Sequence, residues 1–169
     1  MYEDIEQTYP IKLETDQPGL TLIQMLTPED DQAYFDLQNA NHDYWQEFGN
    51  TIDESVEAVT ARRLAKGGAR FGIYKDGVLI GIEGCVTDEA GRGAEVGILL
   101  SKDHSGHGYA TSAARTLSGF IAPQFERVFA EVAPDNDRSI QLMERSGYHR
   151  VGGKAMRDWG PAAVFEYRK

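Results

Sequence analysis

Two glycines flank a histidine in the run Ser105-Gly106-His107-Gly108-Tyr109-Ala110-Thr111, which follows a strand-like stretch, Glu95 to Leu100, and opens a helix-like one. Glycine lets backbone approach a ligand closely, and the unpaired N–H groups of a helix start, at the positive end of its dipole, favour phosphate oxygens. The segment therefore reads as an anion cradle for a cofactor bearing a pyrophosphate. No Gly-Lys-Ser/Thr follows the turn, which excludes a P-loop. A dinucleotide fingerprint would start at Gly106-x-Gly108, with Glu131 about 20 residues onward for a ribose contact. Against it, Thr111 takes the third glycine's place, and five polar residues, Ser101 to Ser105, separate strand from turn.

A second block lies further on: Pro134-Asp135-Asn136-Asp137-Arg138-Ser139, then Ile140, Leu142 and Met143, then Glu144-Arg145-Ser146-Gly147-Tyr148. Asn136 is a natural cap for a short helix that Gly147 stops. With both blocks in view, the chain resembles the GNAT superfamily of acyl-CoA-dependent N-acetyltransferases, whose signature is Gln/Arg-x-x-Gly-x-Gly/Ala. Gly108 and Ala110 fill its last two positions, while Ser105 departs from the first. The RimJ/RimL-type branch, the ribosomal-protein N-terminal acetyltransferases, reads Gly-x-Gly-Tyr-Ala-Thr there, as Gly106 to Thr111 do. The similarity runs from about Ile11 to Tyr167.

The resemblance implies an acetyl-CoA-dependent N-acetyltransferase that moves an acetyl group to a primary amine by direct attack on the thioester. It implies that Glu95 takes the amine's proton, directly or through water, and that a backbone N–H near Ile98 or Leu99, on the edge ending at Leu100, holds the thioester oxygen. Ser105, Gly106, His107, Gly108, Tyr109, Ala110 and Thr111 would cradle the cofactor, and Asn136 would touch its pantetheine amides. Many relatives place a tyrosine acid seven residues after that asparagine; here the position is Met143, which excludes the acid and would instead contact the cofactor. Ser139 matches the serine that the RimJ/RimL-like branch sets near the cofactor sulfur. The acceptor wall would include Tyr44 and Trp45 together with Glu95. On spacing alone, Glu95 reads rather as a solvated carboxylate at a strand end, while Ser139 is equally a solvated hydroxyl and Trp45 with Phe48 equally the core side of a helix end. A non-catalytic acyl-CoA-binding module is the alternative reading. His104 and His107 stand three apart, but no further Cys or His joins them in the loop, so no metal is expected.

The elements that must position these residues follow from periodicity. With 169 residues and 41% hydrophobic content the chain suits a single domain, 1–169, with 1–10 a flexible N-terminal segment. Strands are expected at Ile11–Leu13, Leu20–Leu26, Phe71–Tyr74, Val78–Val86, Ala94–Leu100, Val128–Val132, Tyr148–Val151 and Val164–Tyr167. Thr27-Pro28 starts a helix, and Thr51 to Glu54 form a capping box for another that stops at Gly67-Gly68. Asp76-Gly77 marks a hairpin. Ala110, Ala113, Ala114, Leu117, Phe120 and Ile121 recur at helical spacing, with small residues where a helix lies close to a sheet. The fold class is α/β (α+β mixed sheet). The resemblance makes it GNAT-like: a central, mostly antiparallel sheet flanked by helices, with two parallel strands, Ala94–Leu100 and Val128–Val132, that splay apart around the pantetheine arm.

Cys85 is the single cysteine, which rules out an internal disulfide; its apolar strand suggests a buried structural thiol. No signal peptide or membrane span is apparent, so a cytoplasmic protein is expected. A net charge of −10, from 27 acidic against 17 basic residues, argues against a nucleic-acid partner and favours cationic ligands such as amines, and with no apolar span no membrane partner is expected. An α-amino group, with pKa near ~7.7–8.0, loses its proton more readily than a lysine near ~10.4, which fits a peptide N-terminus or an amine-bearing small molecule. The entry segment Thr15-Asp16-Gln17-Pro18-Gly19-Leu20 lacks the arginines typical of the RimJ/RimL-like branch. The protein is expected to be a monomer or homodimer.

Overall fold

The computed structural model describes residues 10–65 and 67–168, so the segment expected to be flexible lies, apart from Pro10, outside the described residues. The strands are β1 (Lys12–Glu14), β2 (Leu20–Gln24), β3 (Gly68–Lys75), β4 (Val78–Thr87), β5 (Gly93–Leu100), β6 (Arg127–Val132), β7 (Tyr148–Arg157) and β8 (Gly160–Tyr167). They form one sheet in the order β1-β2-β3-β4-β5-β6-β8-β7, antiparallel throughout except for β5 against β6. Helices α1 (Pro28–Ala40), α2 (His42–Glu47) and α3 (Val56–Leu64) lie between β2 and β3, α4 (Tyr109–Ile121) joins β5 to β6, and α5 (Asp137–Arg145) joins β6 to β7. Among the described residues, no helix is long and apolar enough to cross a membrane.

Each face of the sheet has its own core. On one, Ala113, Leu117 and Ile121 of α4 and Met143 of α5 pack on Leu22, Phe71, Val96 and Val128. Ala113, Ala114 and Leu117 are fully buried, as the small-residue pattern required. Truncating Leu117 to alanine in such a core costs about 2–5 kcal/mol. On the other face Tyr34, Trp45 and Val59, from α1, α2 and α3, pack with Met25 and Ile82.

Local chemistry accounts for most boundaries. Thr27 caps α1 in a full capping box with Asp30, with Pro28 at its first position. Asp76 (φ 50°) and Gly77 (φ 81°) give the two left-handed residues of a type I′ hairpin between β3 and β4. The expected capping box at Thr51–Glu54 does not form: Ser55 caps α3, which ends at Leu64. The buried Gln38 amide takes both the N–H (2.8 Å) and the carbonyl (2.9 Å) of Asp53, tying that backbone outside the helix. β7 and β8 also run well past the expected Val151 and start before Val164, carrying their hairpin tip across the sheet.

The functional geometry begins where β5 leaves β6. They pair only at Gly93–Arg127, Ala94–Val128 and Glu95–Phe129. Beyond Glu95, β5 continues along β4 while β6 turns to β8, opening the expected splay. Asp88 N donates to Gly93 O (2.9 Å) at one end of the β4–β5 ladder, and Ser101 N to Ile80 O (2.7 Å) at the other. Because pairing alternates along an antiparallel ladder, Gly93, Glu95, Gly97 and Leu99 bond to β4, while Ile98 and Leu100 turn their N–H and C=O toward the gap.

Candidate active site

At the far end of β5 the chain makes a short 3-10 turn, Lys102–His104, and then the glycine pair, both in the left-handed region (Gly106 φ 82°, Gly108 φ 78°). Gly108 is the N-cap of α4 and no side chain caps the helix, so the first-turn N–H groups of Tyr109, Ala110 and Thr111 are without intrahelical partners and are directed outward. Gly106, His107 and Gly108 are exposed, and a Cβ on Gly106 would meet nothing within 4 Å. A cleft of about 400 Å³ adjoins the turn, lined by Thr111, Ser112, Arg115 and Arg145 with Asp16 and Gln17 of the β1–β2 loop. Ser112 Oγ donates to Asp16, Arg115 lies 3.6 Å from the same carboxylate, and Gln17 Nε2 donates to His107 O at 3.5 Å. Open glycines, an uncapped helix start and two arginines fit a pyrophosphate-bearing group.

The gap itself has walls of different character. On the β5 side, Trp45 Nε1 donates to Leu100 O (2.8 Å), so that carbonyl is taken while the Ile98 and Leu100 N–H groups remain as donors aimed into the splay. Across it, Asn136 Oδ1 accepts from Ser139 N (3.1 Å), capping α5 and setting the half-buried Ser139 in its first turn. Met143 is 4% exposed and belongs to the core. The Arg138 guanidinium stacks 5.4 Å from the Tyr44 ring and 5.2 Å from Phe48, and Tyr44 Oη lies 3.0 Å from Ser105 Oγ. These contacts join α2 to α5 and to the glycine turn.

At the vertex of the splay stands Glu95, half-buried on the helix α1–α3 side of the sheet. Burial pushes its carboxyl above the usual carboxylate range; Arg157 opposes the shift and Glu131 adds to it. Arg157 reaches from the β7–β8 tip to both acids, 3.3 Å from Glu95 and 3.3 Å from Glu131. Glu95 opens onto a cavity of about 450 Å³ whose walls include Tyr34, Arg62, Arg63, Arg70 and Arg157, and whose floor includes Gly84 and Gly97. A Cβ on Gly97 would meet nothing within 4 Å, so mid-strand backbone lies bare to the cavity. Behind the arginines, fully buried Asp31 accepts two bonds from Arg63 (2.7 and 2.8 Å) and one from Thr60 (2.9 Å). Burial alone would raise Asp31, but those bonds and the Arg63 and Arg70 charges outweigh it, so its carboxyl lies below the ordinary value.

A splayed parallel pair, a glycine turn at its open end and an acid at its vertex are thus set along one strand, β5. The family model described as an acetyltransferase (GNAT) domain matches residues 20–149. The chain belongs to the GNAT acetyltransferase family. It is 39% identical to the Bacillus subtilis protein YkkB over 75 residues, a stretch that is 43% of this chain and 42% of that protein. It is 27% identical over 146 residues to the Bacillus subtilis probable N-acetyltransferase YjcK, covering 77% of this chain and 81% of that one. Its fold matches, with a TM-score of 0.77 at 13% identity, the Salmonella typhimurium acetyl transferase described as modifying the N-terminal serine of the 50S ribosomal subunit protein L7/L12, over 92% of this chain and 98% of that one.

Within this GNAT domain the sequence-predicted residues divide into two groups. The structure brings together the glycine turn, the β5 edge, Asn136 and Ser139 around the gap. It does not bring Tyr44 and Trp45 to Glu95, because α2 packs at the opposite end of β5, about 17 Å away by strand rise. Trp45 is 2% exposed, so it is a core residue that anchors Leu100 rather than an acceptor contact. Met143 likewise packs in the core and does not line an open surface. Tyr148, which follows Gly147 in the second block, is 1% exposed and lies 2.6 Å from Ser118 Oγ; burial raises its phenol above the ordinary value. Sequence reasoning missed Tyr34, Arg70 and Arg157. Arg70 sits in a strand of otherwise apolar rhythm, a signal that was available, whereas Gly152-Gly153 hid the extension of β7 to Arg157.

Proposed function

We propose that the protein acetylates a primary amine with acetyl-CoA, the amine belonging to a small molecule or a peptide N-terminus. The observation that carries this reading is the break in β5–β6 pairing directly after Glu95, with an outward-facing helix start at the end of the same strand. Acetyl-CoA, when bound, supplies an activated acyl carbon. The helix α4 start, Arg115 and Arg145 bind its phosphates, and the Asn136 amide holds the pantetheine while its oxygen caps α5. The Ile98 N–H donates to the thioester oxygen as negative charge develops there, a contribution of about 2.7–4 kcal/mol for a comparable donor.

Glu95 accepts a proton from the acceptor's ammonium, which leaves the neutral amine that attacks the thioester carbon. Three residues of strand separate it from Ile98, about 10 Å, so the proton reaches it through water or along a long acceptor chain. Its raised pKa suits the task, because a base whose pKa lies closer to the working pH takes a proton from an ammonium more readily. Ser139 donates a hydrogen bond to the departing sulfur. The test is product mass spectrometry after incubation with acetyl-CoA and pools of free-N-terminus peptides, amino acids, polyamines and aminoglycosides. An acetylated amine that disappears with Glu95→Gln supports the reading; acetyl-CoA binding without any acetylated product counts against it.

A further inference from the structure

The cavity beside Glu95 is electrically polarised. At its α3 end, three arginines, Arg62, Arg63 and Arg70, face two aspartates, Asp53 and Asp31, a surplus of one positive charge. At its β5–β6 end, two acids, Glu95 and Glu131, share Arg157, a surplus of one negative charge. The two surpluses cancel over the whole cavity, so its two ends differ in sign while their sum is zero.

Arg70 is the least tightly paired of the three arginines. Asp31 is committed to Arg63 through two short bonds and reaches Arg70 only at 3.4 Å; the remaining Arg70 contact is Val59 O at 3.3 Å. Its side chain is 12% exposed, and its guanidinium carbon sits over the Tyr34 ring, 4.6 Å from the centroid. It is therefore fixed in place with hydrogen-bonding capacity to spare. In the sheet, Arg70 is in register with Gly84, and Gly84 with Gly97, so two glycines clear the floor from Arg70 to β5. Glu95 stands two residues from Gly97 on the same face.

Resting on the acetyl-transfer reading above, we propose that the acceptor is a zwitterionic amine, a free amino acid or a close analogue, whose ammonium faces Glu95 and whose carboxylate is bound by Arg70 with Arg62 beside it. Polycationic amines carry no anion for the α3 end and are poor acceptors. Arg70 is thereby the specificity-determining residue, distinguishing an amino acid from the corresponding amide.

The experiment uses the whole chain with acetyl-CoA and matched acceptors: amino acids, their carboxamides, the corresponding aminophosphonates, and polyamines. The expected result is a kcat/KM for the best amino acid about 10- to 100-fold above its carboxamide, the range for one charged hydrogen-bonded contact. Arg70→Gln should collapse that ratio towards one, Arg70→Lys should retain part of it, and Arg62→Gln, at an exposed position, should lower it in the same direction. A ratio near one in the unaltered protein, a ratio insensitive to all three substitutions, or a preference for the aminophosphonate overturns the carboxylate assignment. Acetylation of carboxamides or polyamines alone, lost in Glu95→Gln, overturns the zwitterion and leaves acetyl transfer standing. No product in any arm, with acetyl-CoA bound, overturns both.

Discussion

Arg157, at the tip of the β7–β8 hairpin, lies 3.3 Å from Glu95, at the vertex of the β5–β6 splay, although 62 positions separate them in the chain. The contact ties the last hairpin to the candidate base and sets that base's proton affinity. The carboxyl is raised by burial and lowered by Arg157, so removing the arginine leaves burial and Glu131 unopposed.

Arg157→Gln should therefore move the acidic limb of the kcat/KM profile to higher pH. The sign follows from the role: the base works ionised, the limb rises as Glu95 loses its proton, and a higher pKa delays that loss. Arg157 is 43% exposed, so salt screens the effect and the displacement should shrink at high ionic strength. A limb that moves to lower pH would show that Glu95 is not the group that titrates.

Glu95→Gln removes the base without changing side-chain size. The expected loss is about 10²- to 10⁴-fold in kcat. Acetyl-CoA affinity should hold within twofold, because the cofactor groups lie at the other end of β5. The deficit should narrow at high pH, where more of the amine is already neutral. Steady-state rates across pH and acetyl-CoA titration by calorimetry separate these effects, and an unchanged kcat excludes the assignment.

The local signals and the long-range ones were not equally legible. The Thr27 cap, the Asp76-Gly77 turn and the left-handed glycines before α4 are decided by a few neighbouring residues, and the structure has all three. The splay was expected through resemblance, but which N–H faces it required the pairing phase of β4 with β5, and that phase selects Ile98 over Leu99. Thr51 was misread as a cap because the competitor for the Asp53 backbone, Gln38, lies 15 positions away. Trp45 illustrates the same limit: an aromatic at a helix end can face a ligand or the core, and only the bond to Leu100 distinguishes them. The arginines of the acceptor cavity come from α3, β3 and β7, so no sequence window contains them together.

The cradle predicts its own failure. Gly108 has φ 78°, and a Cβ there would come within 3.2 Å of Gln17 Nε2. Gly108→Ala forces a left-handed conformation worth about 1–2 kcal/mol on an L residue. The helix start should rotate away from the phosphates, raising the KM for acetyl-CoA more than it lowers kcat. Gly106→Ala carries the same left-handed strain in open space, so the KM increase should be smaller. Equal effects at the two sites would mean that strain, rather than the placement of the α4 N–H groups, controls cofactor binding.

Glu83 offers a test of stability that is independent of the acceptor site. It is fully buried in β4, on the α4 side of the sheet, and neither carboxylate oxygen has a hydrogen-bond partner. Desolvation pushes its carboxyl well above the ordinary value, so the native protein keeps the proton while the unfolded chain releases it. Below the unfolded pKa of about 4.3 both states are neutral and the group has no pH-dependent effect. As pH rises past that value the unfolded state binds fewer protons than the native one, so stability falls until the folded pKa is reached. Glu83→Gln is neutral in both states and should abolish this loss. Its Tm should exceed the parent's at pH 7.5, and the advantage should vanish near pH 4. An advantage of equal size at both pH values would assign the gain to packing rather than to the buried proton.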